Sequence, residues 1–396
     1  MNTRDDPATL PPQPFFSTPQ QRLALARQRY FDEGVRPSGL VAEPVIQSWS
    51  RCVQERRDPS ERIAFNPVTP SRIHSALRRS HVLLQAAASA LEQLEQTLAG
   101  TACTALLTDQ HGVVVHATRS ADDPCQVLLP LARRVGVNLD EAHIGTGAPG
   151  VTLRTGQPCR VLGAEHFFGH LQVLHCAAAP IRDIHGRVAA VLDVTSEARP
   201  FGFDATAVLT LYATQIENCL LQAQSDEHLV VHLQTSPALL GTPMEALAGL
   251  DSRGRIAWVN QMGARLLGVT QGACGQPAQD LFGLDAVQLA RLNRADGARL
   301  HRLPNGLNVW LAVRLYARDG LATLHPVGRR AAAAPAVNPP AAPADRTAAP
   351  ATLRDIDRSQ IERTVQACGG NVSQAARALR VSRGLVYRHL KRAGAP

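Results

Sequence analysis

Residues 141–181 read EAHIGTGAPGVTLRTGQPCRVLGAEHFFGHLQVLHCAAAPI and decide the fold of the first half of the chain. Around this stretch, short apolar runs alternate with turn signals. The upstream runs are 103–108 and 113–117, and the downstream runs are 174–182 and 188–194. Each pair of runs encloses a short turn that contains Asp and Gly, which predicts a β-hairpin.

A helix is expected after the second hairpin. Residues 205–224 predict an amphipathic helix whose apolar positions are Val208, Leu211, Ile216 and Leu220. Antiparallel strands with helices on their flanks indicate an α+β sheet of the kind that sensor domains use.

Polar chemistry in the stretch is concentrated in His166, His170, His175 and Cys176. Polar groups in a mostly apolar cavity would bind a small effector. His166 and His170 are four residues apart and could instead share a helix face as metal ligands, or the histidines could be hydrogen-bonded core residues. His175 and Cys176 would point to opposite faces of a strand, which argues against a Cys–His nucleophile.

The stretch resembles the GAF domain of the acetoin-catabolism regulator family. The matching positions are Glu141, Gly145, Thr146, Ala148, Gly150, Leu153, Thr155, Gly156, Pro158, Gly163, Glu165, His166, Phe167, Cys176, Ala178, Pro180, Ile181, Asp183 and Gly186. Upstream, residues 48–52 (SWSRC) and 58–59 (DP) are similar to the leading segment of that family. The resemblance implies a helical leader over 1–100 and a GAF-like sensor domain over 101–225. The implied effector-binding residues are Thr146, Glu165, His166, Phe167, His175 and Cys176.

A second α+β unit is predicted at residues 236–328. Runs at 245–250 and 255–259 flank the turn 251–254, Asn260 opens a helix, and further strands are expected at 308–316 and 321–326. The run DSRGRIAWVNQMGARLLG, residues 251–268, resembles a PAS domain at Asp251, Gly254, Ile256, Asn260 and Ala264, with Gly263 as a departure. No haem or flavin residue set is visible, so we expect a dimerisation or transmission module.

The end of the chain is predicted to be a tethered helical unit. Residues 329–351 form an Ala/Pro linker with five prolines between 331 and 351. Residues 352–396 contain nine Lys/Arg and only three Asp/Glu. Gly369-Gly370 break a first helix, Asn371 caps a second and Ser382 caps a third, which is typical of a helix-turn-helix.

This segment resembles the Fis-type helix-turn-helix. The matching positions are Gly369, Gly370, Asn371, Ala375, Ala376, Leu379, Val381, Ser382, Arg383, Val386, Tyr387, Arg388 and Leu390. The expected DNA-binding residues are Asn371, Ser382, Arg383, Gly384, Tyr387, Arg388, Lys391 and Arg392. One recognition helix covers a half-site, so a homodimer is implied.

The composition of the chain limits the classes of function that it can have. The net charge of +8 suits a polyanionic partner, and the eight scattered cysteines contain no CxxC, which fits a reducing cytoplasm. The sequence contains no apolar run long enough to indicate a membrane span. Lys391 is the only lysine and precedes Arg392, so no phosphate-binding Gly-Lys-Ser/Thr loop is encoded in these residues.

The sequence therefore predicts an α+β multidomain protein with a helical leader, GAF-like and PAS-like sensor domains and an all-α C-terminal helix-turn-helix. We expect a cytoplasmic bacterial transcriptional regulator without ATPase or other enzymatic activity, metal or cofactor. Its expected partners are double-stranded DNA, a small-molecule effector, a second copy of the chain and RNA polymerase. The alternatives are a constitutive DNA-binding repressor whose sensor half only dimerises, and a small-molecule enzyme with a regulatory tail.

Overall fold

The structure, a computed structural model, describes residues 18–119, 125–225, 228–270, 275–292 and 297–316. Two antiparallel five-stranded sheets with flanking helices form this part of the chain, which confirms the predicted α+β class. The strand predicted at 321–326, the linker at 329–351 and the helix-turn-helix at 352–396 lie outside the described residues. No helix within the described ranges is long and apolar enough to cross a membrane.

Four helices precede the first sheet. They are α1 (Pro19–Arg27), which continues into one π-helical turn at Gln28–Asp32, α2 (Glu43–Gln54), α3 (Pro70–Arg79) and α4 (His81–Leu98). Proline lies in the first turn of α1, α2 and α3, where its missing N–H costs no hydrogen bond. Leu83, Ala87, Leu91 and Leu94 of α4 are buried, which is one apolar face at helical spacing.

The first sheet contains both predicted hairpins. Its strands are β1 (Cys103–Asp109), β2 (Val114–Ala117), β3 (Cys159–Leu162), β4 (Leu174–Arg182) and β5 (Val188–Glu197), in the order β2-β1-β5-β4-β3. Between β2 and β3 lie three short helices, α5 (Leu129–Ala132), α6 (Glu141–Ile144) and α7 (Ala148–Thr155). β5 continues three residues beyond the predicted end at 194.

Both faces of the first sheet are covered. On one face, Ala177, Ala179 and Leu192 belong to the same core as α4 and the helix α8 (Ala205–Ala223). On the other face, Cys176 and Val191 pack with residues of α2, α7 and the 163–171 segment. The leader is therefore one wall of the domain that follows it.

Helix α8 was predicted at the right place with a partly wrong apolar face. The buried positions are Leu209, Ala213, Ile216 and Leu220, spaced at helical intervals, whereas Leu211 is 48% exposed. The small side chain of Ala213 allows close packing, so burial follows shape rather than the largest apolar residues.

The second sheet has the order β8-β7-β6-β10-β9. Its elements are β6 (Leu229–Gln234), β7 (Ala246–Leu250), β8 (Ile256–Val259), α9 (Gln261–Leu267), α10 (Ala278–Phe282), α11 (Ala286–Leu292), β9 (Arg299–Arg302) and β10 (Asn308–Leu315). The hairpin around 251–254, the helix after Asn260 and the strand near 308–316 are confirmed. The central strand of this sheet, β6, begins before residue 236 and was not predicted from the sequence.

Asn260 holds the second sheet to its first helix. Its Oδ1 accepts the N–H groups of Leu247 at 2.9 Å and Gly263 at 2.7 Å, the second bond being the N-cap of α9. A Cβ at Gly263 would lie 2.5 Å from the carbonyl oxygen of Leu247. The departure from the PAS pattern at Gly263 therefore has a steric reason.

Candidate functional site

The leader segment and the 141–181 stretch, which the sequence analysis treated separately, are in direct contact. The Ser48 and Thr146 hydroxyls lie 2.8 Å apart, and the Trp49 indole N–H donates to the carbonyl of Glu165 at 2.7 Å. Arg51 donates from Nε and Nη2 to the two carboxylate oxygens of Glu141, each at 2.7 Å. Three residues of the SWSRC segment thus fasten α2 to this stretch.

Arg27 adds a second fastening from α1. Its guanidinium donates to the carbonyl oxygens of Ala164 at 3.1 Å, His166 at 2.8 Å and Phe167 at 3.2 Å. The same group lies 4.6 Å from the ring centroid of Phe31, a favourable cation–π geometry. Burial lowers the pKa of Arg27, but an arginine remains charged, so a cation is held against the segment that carries His166.

Beneath these contacts lies a cluster of buried polar side chains, His166, Cys176, Asp193 and Thr195, which we call the polar cluster. His166 Nε2 is 3.5 Å from Cys176 Sγ, and Thr195 Oγ1 is 3.2 Å from the same sulfur. The Thr195 hydroxyl donates to Asp193 Oδ2 at 2.7 Å. Asp193 Oδ1 has no hydrogen-bond partner among the described residues.

Register explains why these groups meet. Cys176 of β4 lies opposite Thr195 of β5, and Ala178 lies opposite Asp193, so the three polar side chains share one face of the sheet. His166 comes from the loop before β4 and is 1% exposed. Its Nδ1 lies 2.9 Å from the Gly163 carbonyl, which places the ring proton on Nδ1 and leaves Nε2 as an acceptor towards the thiol.

Burial sets the protonation states of the polar cluster. Desolvation lowers the pKa of His166 to about 4, so the ring is neutral near pH 7. It raises the pKa of the Cys176 thiol well above its ordinary value, and it raises that of Asp193 to about 7. A cysteine nucleophile requires a thiolate. The His166–Cys176 pair therefore lacks the thiolate that covalent catalysis would need.

The other predicted effector residues are not part of the polar cluster. Thr146 is fully buried against the leader, and the Phe167 ring packs edge-on against Phe31 and Phe168 at centroid distances of 5.5 and 5.1 Å. Glu165 Oε2 accepts the N–H of Leu162 at 2.8 Å, while burial raises the pKa of this carboxyl to about 7. His175 points to the face of β4 opposite Cys176, as strand geometry predicts.

A metal site on His166 and His170 is not formed. The two residues lie on separate short helical turns, and His170 Nε2 accepts the N–H of Ile63 at 3.1 Å. Within the described ranges, no three His, Cys, Asp or Glu side chains are grouped as metal ligands.

Sequence reasoning missed Asp193 and Thr195. Both interrupt the apolar run 188–194 and its continuation, and both lie two residues apart, which is the spacing of one strand face. Polar side chains at that spacing in a buried strand were the available signal.

Comparison with known proteins identifies the family. The family described as "MimR, N-terminal domain" matches residues 18–217, which include the leader, the first sheet and most of α8. The chain belongs to the MimR N-terminal domain family. The family described as "Bacterial regulatory protein, Fis family" matches residues 352–392.

Curated relatives carry names of transcriptional regulators. The chain is 32% identical over 61% of its length to the acetoin catabolism regulatory protein of Cupriavidus necator. It is 29% identical over 44% of its length to the propane 2-monooxygenase operon transcriptional activator MimR of Mycolicibacterium smegmatis. It is 26% identical over 43% to the acetoin dehydrogenase operon transcriptional activator AcoR of Bacillus subtilis. The chain spans only 38%, 29% and 28% of these relatives.

Proposed function

We propose that the chain is a sequence-specific DNA-binding transcriptional regulator of the bacterial cytoplasm that senses a small molecule and has no enzymatic activity. The observation that carries this proposal is the presence of two matches in one chain, a regulator-type N-terminal domain at 18–217 and a Fis-family segment at 352–392. Its partners would be double-stranded DNA, an effector, a second copy of the chain and RNA polymerase.

The proposed organisation follows the sequence. A helical leader (1–100) would precede a GAF-like sensor (101–225), a PAS-like domain (236–328), an Ala/Pro linker (329–351) and a Fis-type helix-turn-helix (352–396). The DNA contacts assigned to Asn371, Ser382, Arg383, Gly384, Tyr387, Arg388, Lys391 and Arg392 lie outside the described residues. Because Lys391 is the only lysine, regulation by this chain would not use a phosphate-binding loop of its own.

We place effector recognition at the polar cluster. Its polar groups converge inside an otherwise apolar wall, the usual composition of a small-molecule site. Asp193 Oδ1 is a buried carboxyl oxygen with no partner among the described residues, and such an atom costs about 1–3 kcal/mol. A ligand hydroxyl would supply the missing hydrogen bond, so the site favours a small, largely apolar molecule with a hydroxyl group. Thr146, Glu165 and Phe167 would line or support the same site, whereas His175 points to the other face of β4.

The leader would then take part in sensing. It covers the face that carries the polar cluster and is fastened there by Arg27, Trp49 and Arg51. A ligand that enters would have to loosen or reshape these contacts, and this gives it different affinities for two arrangements of the leader.

The test of this proposal measures whether a small molecule changes the affinity of the full chain for DNA. Binding sites would be selected from random duplex DNA with the full chain, and DNA affinity would be measured by fluorescence anisotropy with and without acetoin, the compound named in the Cupriavidus necator relative. We expect acetoin to change DNA affinity by about 5–150-fold, the usual range of coupling between sites. Thr195→Val should remove this response, because it deletes the hydroxyl that joins Cys176 to Asp193.

One observation favours the alternative of a constitutive DNA-binding repressor whose first half only dimerises. The polar cluster is closed, with Asp193 fully buried and Cys176 5% exposed beneath the leader. Under this alternative the chain would bind its selected DNA equally well with and without acetoin. Failure to select any DNA sequence would instead contradict regulation by DNA binding.

A further inference from the structure

A cavity lies away from the polar cluster, between α8 and the first sheet on one side and α9 on the other. Its volume is about 400 Å³, within the roughly 300–1,000 Å³ of small-molecule sites. Next to it, Asn260 Nδ2 donates to Asn218 Oδ1 at 2.8 Å and joins α8 to the second sheet. The cavity therefore has walls from both α+β units.

One wall offers hydrogen-bond acceptors. Thr210, Thr214 and Glu217 line the cavity at spacings of four and three residues, which is a single face of α8. The two threonine hydroxyls donate to the carbonyl oxygens of Thr206 and Thr210, each at 2.7 Å. Their protons are committed within the helix, so only the lone pairs of their oxygens face the cavity.

Glu217 extends this acceptor wall. Its residue is 7% exposed, and its Oε2 accepts the backbone N–H of Arg182 at 2.8 Å. Glu217 lines the cavity, and its other carboxylate oxygen forms no hydrogen bond with the described residues. Burial raises the pKa of Glu217 because it disfavours the charged carboxylate. A neutral hydroxyl of a ligand is therefore a suitable hydrogen-bond partner for this carboxyl.

Two arginines also line the cavity. Arg265 of α9 lines the cavity, is exposed, and makes no ion pair or hydrogen bond with its side chain in the described part of the chain. The Arg182 guanidinium also lines it and donates to the Gly156 carbonyl, which holds its position. Two guanidinium groups are suited to a carboxylate, which accepts paired N–H donors.

We propose that this cavity binds a polyhydroxylated carboxylate, a sugar-acid type of ligand, with its carboxylate at Arg265 and Arg182 and its hydroxyls donating to Thr210, Thr214 and Glu217. The ligand touches α8 and α9 at once, so it favours the arrangement of the two units in which the cavity has this shape. This site is separate from the polar cluster and does not depend on the proposed effector.

The test is isothermal titration calorimetry of the full chain with D-gluconate as the probe. D-glucose, which lacks the carboxylate, and hexanoate, which lacks the hydroxyls, are the matched ligands. We expect gluconate to bind at least about tenfold more tightly than glucose or hexanoate. Glucose lacks the hydrogen bonds of the carboxylate, and hexanoate lacks those of the hydroxyl groups.

Variants of the cavity residues show whether the measured heat comes from binding in the cavity. Arg265→Ala and Thr214→Val should each weaken gluconate binding by about tenfold or more, and neither side chain is part of a buried core. Arg253→Ala is the matched control, since it removes an exposed arginine of the second sheet that does not line the cavity. Thr195→Val should also leave gluconate binding unchanged, which separates this site from the polar cluster.

Two results would overturn the proposal. The first is no binding of gluconate at tens of millimolar concentration to a chain that unfolds cooperatively on heating. The second is binding that Arg265→Ala and Thr214→Val leave as strong as in the unmodified chain.

Discussion

Replacing Arg51 with alanine should loosen the leader from the first sheet domain. Arg51 makes two 2.7 Å bonds to Glu141, whose side chain is only 6% exposed, while its own side chain is 31% exposed. Removing one partner of a fully buried pair costs about 3–5 kcal/mol, and exposed pairs are worth about 0–1 kcal/mol. The Arg51–Glu141 pair is mostly buried, so the loss lies between these limits, at about 2–3 kcal/mol.

Hydrogen exchange of the α2 amides measures this loss locally, which matters because a chain with several domains need not unfold in one step. A loss of about 2–3 kcal/mol corresponds to exchange roughly 30- to 150-fold faster. Arg154→Ala is the matched control. Its Nε lies 3.9 Å from the same Glu141 oxygen but its side chain is 64% exposed, so we expect a change below about 0.5 kcal/mol.

A double-mutant cycle with Glu141→Gln completes the test. If Arg51 acts through the Glu141 carboxylate, the cost of Arg51→Ala should fall by more than half in the Glu141→Gln background. Equal effects of Arg51→Ala and Arg154→Ala, or an undiminished cost in the Gln background, would refute the assignment.

Two further predictions concern buried groups. Because burial raises the pKa of Asp193 to about 7, the folded chain keeps a proton that the unfolded chain loses near pH 4, and the stability from this carboxyl declines as pH rises towards 7. Asp193→Asn should flatten that decline in calorimetric Tm between pH 5 and 8, and an unchanged pH profile would count against it. His166, whose pKa is lowered to about 4, acts in the opposite direction and is present in both proteins. Gly263→Ala should destabilise the second sheet by about 1–3 kcal/mol, since its Cβ would meet a backbone oxygen 2.5 Å away, and an unaltered Tm would contradict the steric argument.

Turn chemistry explains why three hairpins could be predicted. In the turns that begin at Asp109, Asp183 and Asp251, each Asp Oδ1 accepts two backbone N–H groups of its own turn. A glycine at positive φ follows three residues later in each turn. Such signals are local, so sequence alone carries them.

Elements with mixed or uniform patterns were harder to predict. β6 is buried on both faces, so its short apolar run has no alternation that identifies a strand. The end of β5 contains Thr195, Ser196 and Glu197, which read as polar but are buried. Glu197 illustrates the reason: its carboxylate accepts the N–H groups of residues 127–129, a partner set that only the tertiary fold brings together.

In the candidate site, too, local sequence indicated some residues but not the contacts between them. The family-like stretch indicated His166 and Cys176 as site residues, whereas the segment with Ser48, Trp49 and Arg51 was recognised only by its resemblance to the family. Their contacts span up to 116 residues of sequence, as in the bond from Trp49 to Glu165. Spacing along the chain could not reveal those pairings.

The most direct test of the central claim is sequencing of the chromatin that the full chain binds in its own cells, compared with an Arg383→Ala/Arg388→Ala double variant. Each bidentate arginine contact to guanine is worth about 1–3 kcal/mol, so losing two should abolish specific occupancy. The account predicts enrichment at a small set of sites with two related half-sites, lost in the double variant. Enrichment no greater than in cells without the protein, or equal enrichment by the double variant, would contradict it.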